Sequence, residues 1–305
     1  MLNNIDLAVI VVNYKLEDLT ISFVEKELSK IKLPHITVII NNEATDQSNS
    51  KLCKALKAKL LESNSFDGDN TNGIFVLPSP ENLGFAKGNN FGVSFSKKYF
   101  NPAFFLFTNN DIKISDNNVV DKLISKLESV SSAGVIGPRV IGLDGKNQSP
   151  YPYRSFWDKH IWIYWSTFFY SREKKIKKFR IDYPDFAKEG YHYYVMGSFF
   201  VVRAKDFYDC GMFDPHTFLY AEELILSERM KGLGKKVYYY PEVSVIHAHG
   251  VTTSKFSKGK SNDWLFESEC YYYKNYIHTS SLLILIGRFT YHLMKVTKGL
   301  FHKRL

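Results

Sequence analysis

The chain has 305 residues and 45% of them are hydrophobic, so it can bury a large core in one big domain or two small ones. Its formal net charge of +9 makes negatively charged partners the expected ones: nucleotide phosphates, nucleic acid or an anionic membrane surface. Three widely separated cysteines argue against a disulfide framework and a zinc cluster, and favour a reducing compartment: Cys53, Cys210 and Cys270.

The N-terminal apolar run does not have the pattern of a secretory signal, because it is short and strand-like and no basic segment precedes it. No stretch of the sequence reaches the ~18 apolar residues that a membrane-spanning helix needs. We therefore expect a cytoplasmic protein that is soluble or peripheral on the inner face of the plasma membrane.

The first half of the chain alternates strand and helix patterns. Near-continuous apolar runs predict strands buried on both faces at residues 7–12, 36–40, 74–77, 104–107 and 135–136. Apolar positions at helical spacing predict amphipathic helices, for example at residues 16–31 and 119–130. This alternation predicts an α/β fold with a doubly wound, mostly parallel central sheet flanked by helices.

The second half departs from this alternation around residues 150–190, where aromatic residues are followed by a basic run. We interpret this segment as a flap or an interfacial segment; a core-packing lid with a solvated basic face is the alternative. The remaining predicted elements are strands and helices at residues 193–203, 221–233, 237–240, 243–247 and from about 264 to the end. We expect one domain over residues 1–255 and a helical C-terminal extension over residues 256–305.

Polar side chains directly follow three of the predicted strands: Asn13 and Tyr14, Asn41 and Asn42, and Asn109, Asn110 and Asp111. Because ligands bind beyond the carboxyl ends of parallel strands, we expect these side chains to converge on one crevice. Oxygen atoms are the ligands that Mg²⁺ and Mn²⁺ prefer, so Asp111 is a candidate ligand for a cation that bridges a diphosphate. A polar turn after a strand is the alternative.

A glycine-rich stretch, residues 82–90, lies after the third strand and opens a helix. Its glycines, Gly84 and Gly88, let the backbone approach a ligand, while a helix N-terminus and Lys87 favour an anion. A glycine-rich turn into a helix is the alternative. The stretch matches neither GxGxxG nor GxxxxGK[ST], so it supports neither a dehydrogenase nor a P-loop protein.

Two further groups of ionisable side chains are candidates for chemistry. Glu222 and Glu223 begin a helix, where the helix dipole favours carboxylates, and beside a cationic site one of them could be a general base. His247 and His249 alternate after a strand and therefore face the same side, as metal ligands would need. A hydrogen-bonded structural histidine is the alternative.

Seven blocks of sequence together resemble the inverting glycosyltransferases of family 2, which have the GT-A fold. In chain order the blocks are VIVVNY, NNEATDQS, NLGFAKGNN, FTNND, GSFFVVRAK, FLYAEELILSERMKGLG and YYYPEVSVIHAHG. The resemblance spans about residues 7–253 and looks most like the branch that includes bacterial rhamnosyltransferases of cell-surface polysaccharide assembly. It implies sugar transfer, with inversion, from a nucleoside-diphosphate donor to a hydroxyl of a glycan or lipid-linked saccharide, with Mn²⁺ or Mg²⁺ as cofactor.

The resemblance also implies roles for individual residues. The donor would be bound by Asn13, Tyr14, Asn41, Asn82, Gly84, Phe85, Lys87, Asn109, Asn110 and Asp111. Arg229 would help to stabilise the leaving diphosphate, and Asp111 and His249 would hold the metal. Glu223 would be the catalytic base. The acceptor side would be shaped by Met196, Gly197 and Ser198.

Two departures from the family pattern concern its acidic positions. Asn stands at the first position of the metal motif and at position 41, where the family often has Asp, and Glu222-Glu223 replaces a Glu-Asp pair, which leaves Glu222 as an alternative base. With fewer carboxylates, a nucleotide-sugar-binding protein without turnover is the alternative function. A nucleic-acid binder is disfavoured because the lysines are spread along the chain and no recognised module occurs.

Overall fold

The structure is a computed structural model that describes residues 5–61, 66, 73–162, 164–166, 185–248 and 258–302. In this part of the chain ten strands form a single sheet. The strands are β1 (Leu7–Tyr14), β2 (His35–Asn42), β3 (Lys59–Leu60), β4 (Ile74–Pro78), β5 (Phe104–Thr108), β6 (Ile112–Ile114), β7 (Ala133–Gly142), β8 (Gly190–His192), β9 (Phe199–Arg203) and β10 (Lys236–His247). The helices are α1 (Glu17–Lys26), α2 (Asp46–Leu56), α3 (Gly84–Tyr99), α4 (Val119–Ser129), α5 (Ala204–Asp209), α6 (Glu222–Gly232), α7 (Lys258–Asn275) and α8 (Ser281–His302), with a 3-10 turn (Leu28–Lys30) after α1 and a π-helical turn (Asp158–Trp162) after β7.

The sheet has two parts that meet at β5. The strands β3, β4, β2, β1 and β5 lie side by side in that order and run parallel. Beyond β5 the order continues β9, β7, β10 and β6. Here β9 is antiparallel to both of its neighbours, and β6 and β8 pair antiparallel with β10. The predicted α/β fold with a mostly parallel sheet flanked by helices is confirmed.

Strands of the second half of the sheet differ from their sequence predictions, and the one predicted at residues 135–136 extends over Ala133–Gly142 as β7. Residues 237–240 and 243–247 form one strand, β10, whose register against β7 shifts between Tyr240 and Ser244. Pro241 explains the irregularity, because proline has no N–H to donate to a neighbouring strand. The strand predicted at residues 193–203 begins only at Phe199, and a turn at residues 197–198 precedes it.

The two faces of the sheet bury separate apolar cores. One core lies under α1, α2 and α4, and the other lies under α3, α5 and α6. In α3, Gly92 permits close packing on the sheet, since a Cβ there would lie 2.7 Å from Cδ1 of Ile40 and 3.0 Å from Cγ2 of Ile10. The helices therefore fix the strand ends where the predicted site residues lie.

A third apolar cluster joins the C-terminal helices to α6. Leu224 and Ile225 of α6 pack with Phe266 and Tyr273 of α7 and with Phe156 before the π-helical turn. The helical extension therefore packs against the helix that begins with Glu222 and Glu223.

Candidate active site

Three asparagines form a buried hydrogen-bond network at the carboxyl ends of β1, β2 and β5. Asn13 donates to the side-chain carbonyl of Asn41 at 2.8 Å and accepts from the hydroxyl of Thr20 at 2.7 Å. Asn110 in turn donates to Thr20 at 2.8 Å, and Asn41 donates to two side chains of α2 at 2.8 Å each. The structure thus brings these three predicted residues together and holds them rigidly. Their contact with a donor remains a prediction.

Asp111 is buried beside His247, and both side chains are almost fully inaccessible. Oδ1 of Asp111 lies 3.4 Å from Nε2 of His247 and has no hydrogen-bond partner among the described residues. On the other side of the imidazole, Nδ1 lies 2.9 Å from Oε1 of Gln148, and this amide oxygen accepts a hydrogen bond from it. Nε2 of His247 and Oδ1 of Asp111 therefore face each other, and a cation held between them would have one nitrogen and one oxygen ligand.

Backbone pairing holds this arrangement in place. His247 is in register with Ile112 of β6, and the N–H of Ala248 donates to the carbonyl of Asp111 at 3.0 Å. Among the described residues there is no group of three or more His, Cys, Asp or Glu side chains suited to a metal ion. His249, the predicted second metal ligand, lies outside the described residues. Asp111 and His247 are therefore two candidate ligands that face each other.

The first turn of α3 contacts the segment that precedes α6. The N–H of Gly84 donates to Oδ1 of Asn82 at 3.0 Å, and the N–H of Phe85 donates to the carbonyl of Phe218 at 2.9 Å. Gly84 has a φ of +70°, and a Cβ on it would overlap the Phe218 carbonyl. The absence of a side chain at Gly84 therefore makes room for protein backbone, which differs from the role expected from sequence.

The neighbouring positions of α3 also differ in environment. Gly88 packs on the sheet, where a Cβ would lie 3.3 Å from Cγ2 of Val12. Lys87 is exposed one position earlier, and Asn82 and Phe85 are partly buried. Whether Asn82, Gly84, Phe85 and Lys87 contact a donor remains a prediction.

The ends of β1 and β2 also contact each other beside the asparagine network. The hydroxyl of Tyr14 lies 3.4 Å from both carboxylate oxygens of Glu43, and Lys15 pairs with Glu43 at 2.5 Å. Lys15 and Glu43 both have positive φ, 54° and 49°, so each strand ends in a sharp change of chain direction. These turns keep Tyr14 close to the second strand.

Glu222 and Glu223 begin α6 after two residues in the left-handed conformation, Tyr220 and Ala221, with φ of 73° and 66°. Such backbone is costly for residues other than glycine, and it often occurs at functional sites. Glu222 is buried and its Oε1 has no hydrogen-bond partner among the described residues, while Glu223 is partly buried. Oε1 of Glu223 accepts a hydrogen bond from the N–H of Gly197 at 2.8 Å.

Burial raises the pKa of both carboxyl groups. For Glu222 the adjacent charge of Glu223 raises the pKa further, and for Glu223 hydrogen bonds from its own backbone and from Gly197 act in the opposite direction. The two carboxyls therefore share a site in which only one of them readily carries a charge. Glu223 is the one with a fixed hydrogen bond and partial access.

Backbone hydrogen bonds connect this pair to the strand that leads to Asp111. The N–H of Asn109 donates to the carbonyl of Ser198 at 2.9 Å, and Ser198 follows Gly197, which holds Glu223. The N–H of Met196 donates to the hydroxyl of Ser149 at 3.1 Å, next to the glutamine that holds His247. The structure thus links the predicted acceptor segment, residues 196–198, to both candidate groups.

Arg229 lies two turns further along α6 and is engaged within the protein. Its Nε donates to the hydroxyl of Tyr276 at 2.9 Å, and Nη1 donates to the carbonyls of Gly211 and Met212 at 2.8 Å each. Its Nη2 lies 3.3 Å from the buried carboxylate of Asp214. These contacts tie α6 to α7, whereas the predicted contact with a diphosphate remains untested.

Sequence reasoning names His247 and His249 together as candidate ligands and assigns the metal to His249, and it does not identify Gln148. The register of β10 on β6, which brings His247 beside Asp111, depends on long-range pairing that periodicity does not reveal. Gln148 and Ser149 lie after β7 in a stretch without a motif, so nothing in the sequence points to them.

No family model matches the sequence. Among curated proteins, rhamnosyltransferase WbbL of Escherichia coli (strain K12) is 29% identical over 181 residues. The alignment covers 57% of this chain and 65% of WbbL, so it spans slightly less than two thirds of that relative.

Three solved structures align over most of this chain. GalNAc-T7 with UDP, GalNAc and Mn²⁺ aligns with a TM-score of 0.53 at 14% identity, over 81% of this chain and 44% of that chain. The mannosyltransferase PcManGT from Pyrobaculum calidifontis, in complex with GDP-Man and Mn²⁺, aligns with a TM-score of 0.58 at 10% identity, over 95% and 71%. TarS residues 1–349 from S. aureus aligns with a TM-score of 0.50 at 13% identity, over 89% and 72%.

The chain has the GT-A fold. Identities this low establish the fold alone, while the similarity to WbbL carries the relationship in sequence. Together they confirm the resemblance to the family 2 glycosyltransferases. In this GT-A chain, Asp111 follows the central strand β5 and Glu223 faces the turn before its antiparallel neighbour β9.

Proposed function

We propose that this protein is an inverting glycosyltransferase, which moves a sugar from a nucleoside-diphosphate donor to a hydroxyl of a glycan or lipid-linked saccharide in cell-surface polysaccharide synthesis. The observation that carries the proposal is the position of Glu223, which is held by Gly197 on a segment bonded to the strand end leading to Asp111. A partly buried carboxylate beside a cation-binding edge suits general-base chemistry. WbbL is a rhamnosyltransferase, and the structures with UDP or GDP-Man support a nucleotide-sugar donor.

In the proposed reaction, Glu223 accepts the proton of the acceptor hydroxyl while that oxygen bonds to the anomeric carbon and the bond to the diphosphate breaks. A single displacement inverts the anomeric configuration. Glu222, whose pKa is raised by burial and by the charge of Glu223, stays protonated beside it. The Gly197 N–H keeps the Glu223 carboxylate oriented. This assignment favours Glu223 over Glu222 as the base, because Glu222 is buried away from an incoming hydroxyl.

Asp111 and His247 would hold the Mn²⁺ or Mg²⁺. The fit is supported by the buried Oδ1 of Asp111, which has no hydrogen-bond partner among the described residues and faces the imidazole at 3.4 Å. Bound there, the ion would supply Lewis-acid stabilisation of the leaving diphosphate. The donor side would comprise Asn13, Tyr14, Asn41, Asn82, Gly84, Phe85, Lys87, Asn109 and Asn110, and the acceptor side Met196, Gly197 and Ser198.

A second part of the proposal concerns an anionic membrane surface as a partner of α8, on the inner face of the plasma membrane. Large apolar side chains on this helix are exposed, among them Leu282 at 69%, Leu285 at 62% and Phe289 at 64%. After Glu269 the sequence has no Asp or Glu, and its charged residues are Lys274, Arg288, Lys295, Lys298, Lys303 and Arg304. An apolar stripe among cations suits an anionic lipid surface. No described helix has the length and apolar character needed to cross a bilayer.

Turnover of UDP-, GDP- and dTDP-sugars with Mn²⁺ or Mg²⁺, measured as release of the nucleoside diphosphate, tests the enzymatic proposal. We expect the wild type to consume one of these donors and Glu223→Gln to be slower by about 10²–10⁴-fold, the usual worth of general-base assistance. Tight binding of a nucleotide sugar with no release, in the presence of saccharide acceptors, would instead favour a binding protein without turnover.

A further inference from the structure

A cavity of about 200 Å³ lies beside the helix that carries Glu223. Its walls come from residues 151–154 and Lys159 after β7, from Tyr193 and Tyr194 before the predicted acceptor segment, from Leu224 on α6, and from Tyr272 and Tyr273 on α7. Most of the lining is aromatic, because six of these residues are tyrosines. The cavity is thus a concave aromatic surface built from distant parts of the chain.

Three of the tyrosines are held by hydrogen bonds within the protein. The hydroxyl of Tyr193 donates to Glu228 at 2.6 Å and is also hydrogen-bonded to the hydroxyl of Tyr272. The hydroxyl of Tyr273 donates to the backbone carbonyl of Arg154 at 2.7 Å. Because these hydroxyls are engaged, the rings are fixed and turn apolar surface toward the cavity.

Two more tyrosines present a stacked pair. The rings of Tyr151 and Tyr194 lie 5.0 Å apart with 17° between their planes, and the N–H of Tyr151 donates to the carbonyl of Tyr194 at 3.1 Å. The hydroxyl of Tyr194 has no hydrogen bond to another described residue. It is therefore a polar group, on a fixed ring, that a ligand hydroxyl could reach.

The charged residues that line the cavity are both cations. Arg154 and Lys159 contribute to its lining, and no Asp or Glu does. Lys159 is already paired with Glu269, which is buried on α7. The guanidinium of Arg154, by contrast, makes no hydrogen bond or ion pair with any described residue. Among the described residues Arg154 is therefore a cation without a partner at the wall of an aromatic cavity, and a planar guanidinium matches phosphate and carboxylate groups.

The cavity also lies next to the candidate base. Leu224 follows Glu223 directly, and Tyr194 lies three residues before Gly197, which holds the Glu223 carboxylate. Burial raises the pKa of Tyr194, and the nearby charge of Glu223 raises it further. The positive charge of Lys159, in turn, acts to lower the pKa of Glu223. Glu223 does not itself line the cavity, but a ligand that contacts Tyr194 and Leu224 would lie beside the segment that carries it.

We propose that this cavity binds one sugar ring of the acceptor, and that this sugar carries an anionic group, a phosphate or a carboxylate, which Arg154 binds. At about 200 Å³ the cavity is smaller than the ~300–1,000 Å³ typical of sites for larger ligands, so one ring fits better than an oligosaccharide. The tyrosine rings would pack on the sugar while Arg154 selects its charge. The inference rests on the proposed function and specifies its acceptor.

Ligand-observed NMR titrations with glucose 1-phosphate, glucuronic acid and glucose test the inference. We expect at least one of the two charged probes to bind more tightly than glucose, and Arg154→Met to weaken that binding by about tenfold, as expected for loss of a charge-assisted hydrogen bond. Arg154→Lys should retain part of the affinity because it keeps the charge. Preference for glucose 1-phosphate would indicate a phosphate-linked acceptor, and preference for glucuronic acid would indicate a uronate-containing one.

The aromatic wall is tested separately with Tyr151→Ala, which should abolish binding of all probes. Tyr191→Ala is its matched control, because Tyr191 is exposed on β8 and lies outside the cavity. The inference would be overturned by the absence of saturable binding, by equal affinities of Arg154→Met and wild type, or by displacement of the probes by UDP, which would place them in the donor site. If the protein turns over a donor but binds no probe, this inference is contradicted and the proposed function stands. If the probes bind through Arg154 but no donor is turned over, the proposed function is contradicted and the binding site stands.

Discussion

At the scale of single residues, the two adjacent glutamates show how far environment separates groups of the same chemistry. Glu222 is buried with one oxygen unpartnered among the described residues, whereas Glu223 accepts a hydrogen bond from Gly197 and is partly accessible. The sequence identifies both as candidates but cannot rank them. The ranking depends on the left-handed Tyr220 and Ala221, which set the direction in which α6 begins, and neither residue type predicts that conformation.

Glu222 should make stability depend on pH. Since burial raises its pKa above the ordinary 4.5, its contribution to stability is complete below pH 4.5 and is lost as pH rises through the folded-state pKa. Glu222→Gln carries no charge at any pH. We therefore expect its free energy of unfolding to fall less with rising pH than that of the wild type, the difference in slope being at most about 1.4 kcal/mol per pH unit.

Urea unfolding at a series of pH values measures this difference. Glu25→Gln, on an exposed part of α1, removes a carboxyl from the surface and is the control. Parallel curves for Glu222→Gln and wild type would show that Glu222 is ionised in the folded protein, contrary to the environment described above.

The contact between Asp111 and His247 is predicted only in part by the sequence. The apolar run at residues 104–107 predicts a strand whose carboxyl end is followed by Asp111, and the structure has Asp111 at this position after β5. Its contact with His247 could not be predicted, although His247 is a candidate ligand in the sequence, since β6 and β10 are separated by more than a hundred residues and their register is fixed only in the folded sheet.

At the scale of secondary-structure elements, the parallel half of the sheet follows from the sequence and the antiparallel half does not. The strands β1, β2, β4 and β5 lie within two residues of the apolar runs that predict them. The insertion of β9 between β5 and β7 has no local signal, because pairing partners are chosen by long-range packing. The helix α2 was also missed, as its sequence DQSNSKLCKAL is mostly polar.

The contact between α3 and the segment before α6 should be sensitive to one methyl group. Gly84→Ala adds a Cβ that overlaps the Phe218 carbonyl, at a residue with φ of +70°. We expect a loss of about 1–3 kcal/mol in the free energy of unfolding. Gly232→Ala is the control, since a Cβ there meets nothing within 4 Å, and it should be neutral or slightly stabilising. Equal changes in the free energy of unfolding for Gly84→Ala and Gly232→Ala, measured by chemical denaturation, would contradict close packing at Gly84.

Arg229 should stabilise the packing of α6 against the end of α7, because it contacts Tyr276 and Asp214. Although burial acts in the opposite direction, hydrogen bonds from Tyr276, His216 and Tyr271 lower the pKa of Asp214 to about 2, so Asp214 is a buried anion beside Arg229. Arg229→Met removes its cationic partner and should cost about 3 kcal/mol of stability.

Nucleotide affinity of the folded Arg229→Met variant, measured by calorimetry, should equal that of the wild type within twofold. Arg288→Met is the control for stability, because Arg288 pairs with Glu267 at an exposed site and should contribute at most about 1 kcal/mol. A large loss of nucleotide affinity with unchanged stability would instead support the diphosphate-binding role that the sequence analysis expects of Arg229.

At the scale of the whole molecule, the C-terminal helices connect the candidate site to a proposed membrane surface. The double variant Leu285→Asp, Phe289→Asp places carboxylates in the apolar stripe of α8, and it should reduce binding to phosphatidylglycerol vesicles by at least about tenfold. Added salt should weaken the binding of the wild type, since the lysines and arginines interact with the headgroups electrostatically.

Vesicle co-sedimentation measures this binding, and Leu143→Asp is the control because Leu143 is 73% exposed and lies just after β7. Equal sedimentation of the double variant and the wild type would contradict membrane binding through this helix. A concentration-dependent dimer that the same substitutions abolish would assign the stripe to a second copy of the chain instead.

The central claim is that Asp111 and Glu223 serve two different steps in one crevice. Isothermal titration calorimetry of the preferred nucleoside diphosphate, with and without Mn²⁺, tests it most directly when wild type, Asp111→Asn and Glu223→Gln are compared. We predict that Asp111→Asn loses the Mn²⁺-dependent part of the affinity, while Glu223→Gln binds as tightly as the wild type and is impaired only in turnover. Unchanged Mn²⁺-dependent affinity in Asp111→Asn, or full turnover in Glu223→Gln, would contradict the account.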